Sequence, residues 1–251
     1  MTEFLRKIRV ALSPRTHLLK TRLSNGAIVY GQNKAGFGGR GIYVWRDDIE
    51  PEYKHFTKFL APESVMIDVG ANTGIYSIKA AQHLAGTGTV LALEPFPDVL
   101  AVLFKSAKEN QFTNLRIRNF CAGAKTETST LWMNSAKPHE FSLLKHDSTA
   151  QALSSLVVAL DDLFAWEKLT RFDFLKIDAE GAENQVLQGA AKIIAHYRPI
   201  IQAEITHTQI DFSLPNYTIF RAPNSPNKVC IPQEHPRYAL AAELGWQSVK
   251  A

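Results

Sequence analysis

Hydrophobic residues between positions 64 and 205 occur either in short runs or at helical spacing. The runs, some of them broken by polar residues such as Asp173 and Lys176, predict strands at 64–70, 89–94, 115–121, 172–177 and 199–205. Between them, apolar residues recur every three or four positions and predict helices over 75–86, 97–110, 160–169 and 183–195. Regular alternation of strands and helices is typical of a mostly parallel sheet with helices on both faces. The pattern therefore predicts an α/β fold.

The segments before residue 64 are less regular. Asn25-Gly26 lies between β-prone residues in LSNGAIVYG and predicts a β-hairpin. The segment KAGFGGRG at 34–41 is rich in glycine but lacks the Lys-Ser/Thr of a phosphate-binding loop, so a connection or lid is expected. Spaced aromatic residues predict a helix over 47–60.

Two further parts of the pattern surround the last predicted helices. The polar stretch 122–156 interrupts the alternation and predicts either a hairpin or an insertion that faces the substrate. The end of the chain predicts two strands and a short helix, at 217–222, 228–232 and 237–244.

Length and composition are compatible with one large α/β domain. The chain has 251 residues, of which 45% are hydrophobic, enough for a substantial core. No window approaches the roughly 18 apolar residues of a membrane span, and the start lacks the pattern of a signal peptide, so a cytoplasmic location is expected. Cys121 and Cys230 lie far apart and suggest neither a zinc site nor a disulfide framework.

The net charge of +4 conceals a strongly basic start. Residues 1–46 carry nine Lys and Arg residues against one acid, Glu3. They are expected to form a basic N-terminal extension, a helix with a small β element, before a domain over 47–251. The apolar residues of TEFLRKIRVAL share one helical face. This pattern predicts either a helix packed on the chain's own domain, which is the favoured alternative, or a helix that contacts an anionic membrane. For a cytoplasmic protein, such contact would be with the inner face of the membrane.

The loop after the first strand of the alternating region, IDVGANTGIYS, indicates a nucleoside cofactor. Gly70 and Gly74 allow a tight turn, and Glu94 ends the next strand, where an acid can bind ribose hydroxyls. The loop lacks the G-x-G-x-x-G of a pyrophosphate site, which disfavours a nicotinamide-dependent oxidoreductase. Asp68 places a negative charge nearby, which suits the cationic S-adenosylmethionine.

The acids of FDFLKIDAEGAENQVLQGA follow the fourth of these strands and are candidates for catalysis. Asp178 is the preferred general base, whereas Glu180 could serve either as a base or as an acceptor of N–H groups in the turn. Glu183 is interpreted as a helix-start residue. His207, after the fifth strand, is a further candidate for a base or an acceptor-positioning group. Asp178 with another acid could hold a divalent cation, but the spacing demands none, and no metal site is predicted.

The motifs VMIDVGANTGIYS, LALEPFPD, LDDL and LKIDAEGAENQVLQGA occur in an order and at intervals that resemble the FkbM family of S-adenosylmethionine-dependent methyltransferases. The similarity covers about residues 41–205. It implies the Rossmann-like class I methyltransferase fold and O-methylation of hydroxyls on sugars and natural products.

The resemblance also implies the residues that bind the cofactor. The loop Asp68, Gly70, Ala71, Asn72, Thr73 and Gly74 would surround the methionine part, and Glu94 would hold the ribose. Pro95 and Phe96 would lie near the adenine, as would Cys121 and Ala122, which match no sharp motif.

An O-methyltransferase acting on a sugar, glycan or related hydroxyl is therefore the leading hypothesis. The absence of an N/D-P-P-Y motif weighs against N-methylation. A nicotinamide-dependent oxidoreductase and a non-catalytic binding module of a surface-polysaccharide system remain alternatives. The basic extension suggests an anionic or lipid-linked acceptor, whereas no interleaving of aromatic and basic residues supports a nucleic acid.

Overall fold

Eight strands of the described residues form the central sheet of the protein. The computed structural model describes residues 2–34, 38–133, 141–142, 151–204 and 213–249. The strands are β1 Leu18–Arg22, β2 Ile28–Gln32, β3 Val65–Val69, β4 Thr89–Leu93, β5 Leu115–Arg118, β6 Cys121–Ala122, β7 Glu127–Met133, β8 Phe141–Ser142, β9 Gln151–Val158, β10 Phe174–Ile177, β11 Ile200–Glu204, β12 Tyr217–Arg221, β13 Asn227–Pro232 and β14 Gln247–Val249. The helices are α1 Glu3–Leu12, α2 Gly39–Trp45, α3 Ile75–Leu84, α4 Pro97–Glu109, α5 Leu160–Trp166, α6 Glu183–Gly189, α7 Ala191–Tyr197 and α8 Leu240–Glu243.

The order of the strands in the central sheet brings two loops together. The order is β14-β12-β13-β11-β10-β3-β4-β5, and the five strands from β11 to β5 are parallel. β3 and β10 are neighbours, with Asp68 opposite Lys176. Chain connections leave β3 toward one edge and β10 toward the other, which makes their carboxyl ends the switch point where ligands bind in such sheets.

Helices cover both faces of this sheet, as the sequence predicts. Alternate residues of β3 point to opposite faces, so Met66 packs with α3 and α4, whereas Ile67 packs with α5, α6 and α7. The described helices include none that is long and apolar enough to cross a membrane.

The described residues also form two smaller sheets, of which the first confirms the hairpin predicted at Asn25-Gly26. β1 and β2 pair antiparallel around the Asn25-Gly26 turn. The side chain of Asn110, the residue that follows α4, accepts the N–H of Ile28 at 2.8 Å and donates to its carbonyl at 2.6 Å, and so fixes this hairpin to the main body. Within the described part of 122–156, β7 pairs antiparallel with β9 and forms a sheet with β6 and β8.

The α-helix predicted over 47–60 is wrong. Only short 3-10 turns form there, at Arg46–Asp48 and Phe56–Phe59. The ammonium of Lys79 bonds the carbonyl of Tyr53 at 2.8 Å, and that carbonyl would accept an N–H within a continuous helix. The buried aromatic rings of this segment therefore reach the core from an irregular backbone.

Two other predictions need correction. The single helix predicted over 183–195 is two helices, because the Asp161 carboxylate accepts the N–H groups of Lys192 and Ile193 and caps the start of α7. In the glycine-rich segment 34–41, residues 39–41 are not a loop but the first turn of α2. Gly39 touches Gly31 of β2 there, where a Cβ on Gly31 would lie 2.1 Å from the Gly39 Cα.

Candidate active site

The loop after β3 is wound tightly against the turn that follows β10. Gly70, Asn72 and Gly74 have positive φ angles of 72°, 50° and 82°, which glycine and asparagine tolerate best. A Cβ on Gly70 would lie 1.9 Å from the carbonyl oxygen of Asp178. The glycine at position 70 of the motif D-V-G-A-N-T-G therefore lets the end of β3 approach the end of β10 more closely than any residue with a side chain would allow.

Glu94, at the end of β4, fixes the backbone beside this loop. Its Oε2 accepts the Asn72 N–H at 2.8 Å, and its Oε1 accepts the Phe96 N–H at 2.7 Å. Burial raises the pKa of Glu94 to about 7, although the two N–H donors act in the opposite direction. Each oxygen can accept a further hydrogen bond, so this carboxylate remains a suitable partner for hydroxyl groups.

A first cleft lies beside Glu94 and brings together most of the predicted cofactor residues. It has about 720 Å³ of space, part of it open to solvent. The predicted residues that line it are Gly70, Asn72, Glu94, Pro95, Phe96, Cys121 and Ala122. Burial raises the pKa of the Cys121 thiol to about 11, so this side chain is neutral and acts as a small apolar wall.

Sequence reasoning missed the apolar wall of the first cleft. Val99, Phe120 and Leu131 line it together with the predicted residues. Phe120 directly precedes Cys121 and could have been included on that ground. Leu131 comes from the β7–β9 hairpin, and only the fold brings it to the cleft.

A second cleft of about 830 Å³ lies on the other side of the same loop. It shares Gly70, Asn72 and Asp178 with the first cleft. Asp68, Ala71 and Thr73, which the resemblance assigns to the cofactor, line this second cleft and not the first. The second cleft is also lined by residues that the sequence did not suggest, Lys34, Gly38, Arg40, Gly41, Ile49, Glu50, Ile75, Tyr76 and Lys176.

Asp178 lies where the two clefts meet. Its side chain is 38% exposed, and its Oδ2 is 3.3 Å from the ammonium of Lys176, which is buried. Burial by itself lowers the pKa of Lys176, but the nearby carboxylates, Asp178 first among them, outweigh that effect and raise it. A permanent positive charge thus lies beneath the carboxylate.

Two further acids, Asp68 and Glu50, lie near Lys176. The Ser77 hydroxyl donates to Asp68 Oδ2 at 2.5 Å, and burial raises the pKa of Asp68. Tyr76 donates to Glu50, whose pKa burial also raises, while Lys176 opposes the shift. Glu50, Asp68 and Asp178 therefore all lie close enough to the Lys176 ammonium for it to stabilise their negative charge.

Glu183 and Glu180 have different surroundings in the turn after β10. Glu183 is buried, and its Oε1 accepts the N–H groups of Ala179 and Gly181, each at 3.1 Å. The turn-holding role considered for Glu180 is therefore performed by Glu183. Glu180 is exposed, has a positive φ of 49° and lines the first cleft.

Two predicted site residues remain, His207 and Gly74. His207 lies outside the described residues, and Gly74 caps α3 without lining either cleft. The described residues contain no group of three or more His, Cys, Asp or Glu side chains arranged to hold a metal ion.

Comparison with known proteins agrees with this geometry. The family model described as the methyltransferase FkbM domain matches residues 68–222, more than half of the chain. No curated protein matches the sequence.

Among solved structures, a methyltransferase FkbM from Methylobacillus flagellatus KT is similar at 18% identity and a TM-score of 0.51, over 76% of this chain. The aligned part spans only 52% of that protein's length. A tRNA (uracil-54, C5)-methyltransferase from Pyrococcus abyssi, in complex with S-adenosyl-L-homocysteine, aligns at 10% identity and a TM-score of 0.44, over 85% of this chain and 43% of its own. The likeness to the Methylobacillus protein concerns the fold alone.

Proposed function

The chain belongs to the FkbM methyltransferase family, whose methyl donor is S-adenosylmethionine, and we propose that it methylates a hydroxyl oxygen of a sugar, a glycan or a related natural product. The observation that carries the proposal is the position of Asp178 at the junction of two clefts. One cleft suits the donor and the other suits a polar acceptor.

The first cleft fits the chemistry of the cofactor. The Glu94 carboxylate can accept hydrogen bonds from a ribose diol, and Val99, Phe120 and Leu131 supply apolar surface for an adenine ring. Gly70 and Asn72 line this cleft at the loop to which the family resemblance assigns the methionine part of the cofactor. When bound, the cofactor supplies a sulfonium-activated methyl group.

The second cleft suits an acceptor that carries hydroxyls and negative charge. Lys34 and Arg40 of the basic extension line it, together with Asp68 and Glu50, the acids near Lys176. Arg40 is held in place because its Nε donates to Asn33 Oδ1 at 3.0 Å and its Nη2 donates to the Asn33 carbonyl at 3.1 Å. Cations positioned in this way can bind a carboxylate or phosphate on the acceptor, while the carboxylates bind its hydroxyls.

Asp178 is the proposed general base. An acceptor hydroxyl at this junction would pass its proton to the Asp178 carboxylate as the methyl group is transferred and S-adenosylhomocysteine is left behind, and the partly exposed side chain would then release the proton to solvent. The Lys176 ammonium, bonded to Oδ2, restricts the rotation of that carboxylate. Alignment of the two substrates by the clefts supplies the rest of the acceleration.

The proposal is tested with the variant Asp178→Asn, which keeps the shape of the side chain but removes the base. We expect turnover to fall about 10² to 10⁴-fold, with the affinity for S-adenosylhomocysteine unchanged. Turnover is measured as label transferred from radioactive S-adenosylmethionine to hydroxylated cell-surface glycan fractions, and affinity by calorimetry.

The matched control is Glu63→Gln, which removes a carboxylate whose side chain is 76% exposed and lines neither cleft. It should retain turnover within a few-fold of the wild type. Wild-type turnover by Asp178→Asn would refute Asp178 as the base, and methyl transfer to nitrogen or carbon acceptors alone would refute the proposed acceptor class.

A further inference from the structure

Helix α1 presents its apolar side to solvent. Phe4, Leu5, Ile8 and Leu12 share one face of this helix, and Phe4 and Leu12 are 70% and 81% exposed. No residue of α1 is buried. Helix α1 does lie against the chain's own domain, as the favoured interpretation predicted, but it makes these contacts through its polar side and not through this apolar face.

The polar side of α1 faces the protein instead. The Arg6 Nε donates to the carbonyl of Val44 at 2.7 Å. The Asn33 amide donates to the carbonyls of Val10 and Ser13, at 2.9 and 2.8 Å, at the end of the helix. These directional hydrogen bonds fix the helix in the orientation that leaves its apolar face uncovered.

Basic residues border the exposed apolar face. Lys7 and Arg9 lie on its two sides and are exposed, and the Lys7 ammonium is 5.8 Å from the ring of Trp45, itself partly exposed. Glu3 pairs with Lys7, and it is the only acid among residues 1–46, which contain nine cations. An apolar stripe between cations, beside a tryptophan, matches the layered chemistry of a bilayer surface.

We propose that α1 docks this protein on the surface of an anionic lipid bilayer. Phe4, Ile8 and Leu12 would enter the boundary of the acyl chains, while Lys7 and Arg9 would contact the lipid headgroups. A second copy of the chain is a poorer occupant of this face, because stacking two such helices would bring their bordering cations together.

The docking helix is connected directly to the second cleft. Asn33, which holds the end of α1, also accepts the Arg40 Nε, and Arg40 lines that cleft. An acceptor carried on the same bilayer would thus meet the cleft near the membrane. This consequence rests on the proposed function, whereas the docking itself does not.

The test is flotation of the full chain with vesicles of phosphatidylcholine alone or with about one third phosphatidylglycerol. We expect binding to the anionic vesicles, with at least a tenfold weaker partition for Phe4→Ser/Leu12→Ser. Arg9→Gln should weaken binding about fivefold at low salt. The matched control is Phe104→Ser/Trp166→Ser, which removes two apolar side chains that are exposed elsewhere, Phe104 being 52% exposed; it should bind as the wild type does.

Each alternative outcome is distinct. Equal flotation of the wild type and Phe4→Ser/Leu12→Ser, or no preference for anionic vesicles, overturns the proposal. So does sedimentation showing a dimer that Phe4→Ser/Leu12→Ser dissociates while neither protein binds vesicles. Calorimetry with S-adenosylhomocysteine reports separately on the methyltransferase fold, so loss of vesicle binding is not mistaken for misfolding.

Discussion

A single buried carboxylate, that of Glu94, makes cofactor binding depend on pH. Its pKa is raised by burial from an ordinary value of 4.5 to about 7. Hydroxyl donors bind a carboxylate more strongly than a neutral carboxyl group. We therefore expect the affinity for S-adenosylhomocysteine to rise with pH, by at most about tenfold per unit below pH 7, and to level off above it, as measured by calorimetry from pH 5.5 to 8.5.

The same residue affects the stability of the ligand-free protein in the opposite direction. Because the folded state holds the Glu94 proton more tightly than the unfolded state does, the stability from this group is fully present below about pH 4.5. That stability is lost as the pH rises through about 7. Glu94→Gln does not titrate, so it should lose both the affinity profile and this part of the stability profile. Identical profiles for the variant and the wild type would contradict the assignment.

At the scale of elements, the turn between β10 and α6 depends on one internal acceptor. Glu183 satisfies two backbone N–H groups of that turn, and the turn includes the residues beside Asp178. Glu183→Ala should lower the free energy of unfolding by about 1 to 3 kcal/mol, since it leaves these donors without a partner. It should also lower turnover. Urea denaturation and the methyl-transfer assay measure the two effects.

The control for this turn is Glu183→Gln, which keeps a side-chain oxygen in the same place. It should restore most of the stability lost by Glu183→Ala. If both substitutions cost the same, the carboxylate charge and not the acceptor geometry would stabilise the turn.

The sequence predicted the elements whose periodicity is set by burial on the sheet. β3, β4, β10 and β11 are mostly apolar because parallel strands are covered on both faces, and they occur at the predicted positions. The predicted helix over 47–60 failed because its carbonyl groups bond to distant partners, such as Lys79. Periodicity indicates which residues enter the core. It does not indicate which backbone groups will form hydrogen bonds with side chains that are distant in sequence.

For the candidate site too, the sequence predicted the local features but not the contacts between distant parts of the chain. The glycine loop and Glu94 are local features of a strand end, and they line the first cleft together. The second cleft combines Arg40 of α2, Tyr76 of α3 and Lys176 of β10, which are far apart in sequence. No local sequence pattern predicts that these three residues come together, because only the strand order and the packing of the basic extension bring them into one cleft.

At the scale of the whole molecule, the parts of the basic extension differ in how many of their side chains are buried in the core of the domain. Leu23, Val29 and Ile42 are buried in the same core as Tyr76 and Phe174, whereas no residue of α1 is buried. Burying three such side chains contributes about 5 to 9 kcal/mol, comparable with the roughly 5 to 15 kcal/mol by which whole domains are stable. The hairpin and α2 are thus part of the folded core, and α1 is an appendage to it.

Two truncations distinguish these parts. Removal of residues 1–12 should lower the melting temperature by less than about 8 °C, since it costs two part-buried hydrogen bonds to the rest of the chain, of about 1 kcal/mol each. Removal of residues 1–46 should abolish cooperative unfolding, because it uncovers the core beneath β2 and α2. Circular dichroism melts measure both, with calorimetric binding of S-adenosylhomocysteine as the check on the first cleft. A shortened chain starting at residue 47 that melts cooperatively near the wild-type temperature would show that the extension is a separate domain, and that its contacts with the sheet contribute little to stability.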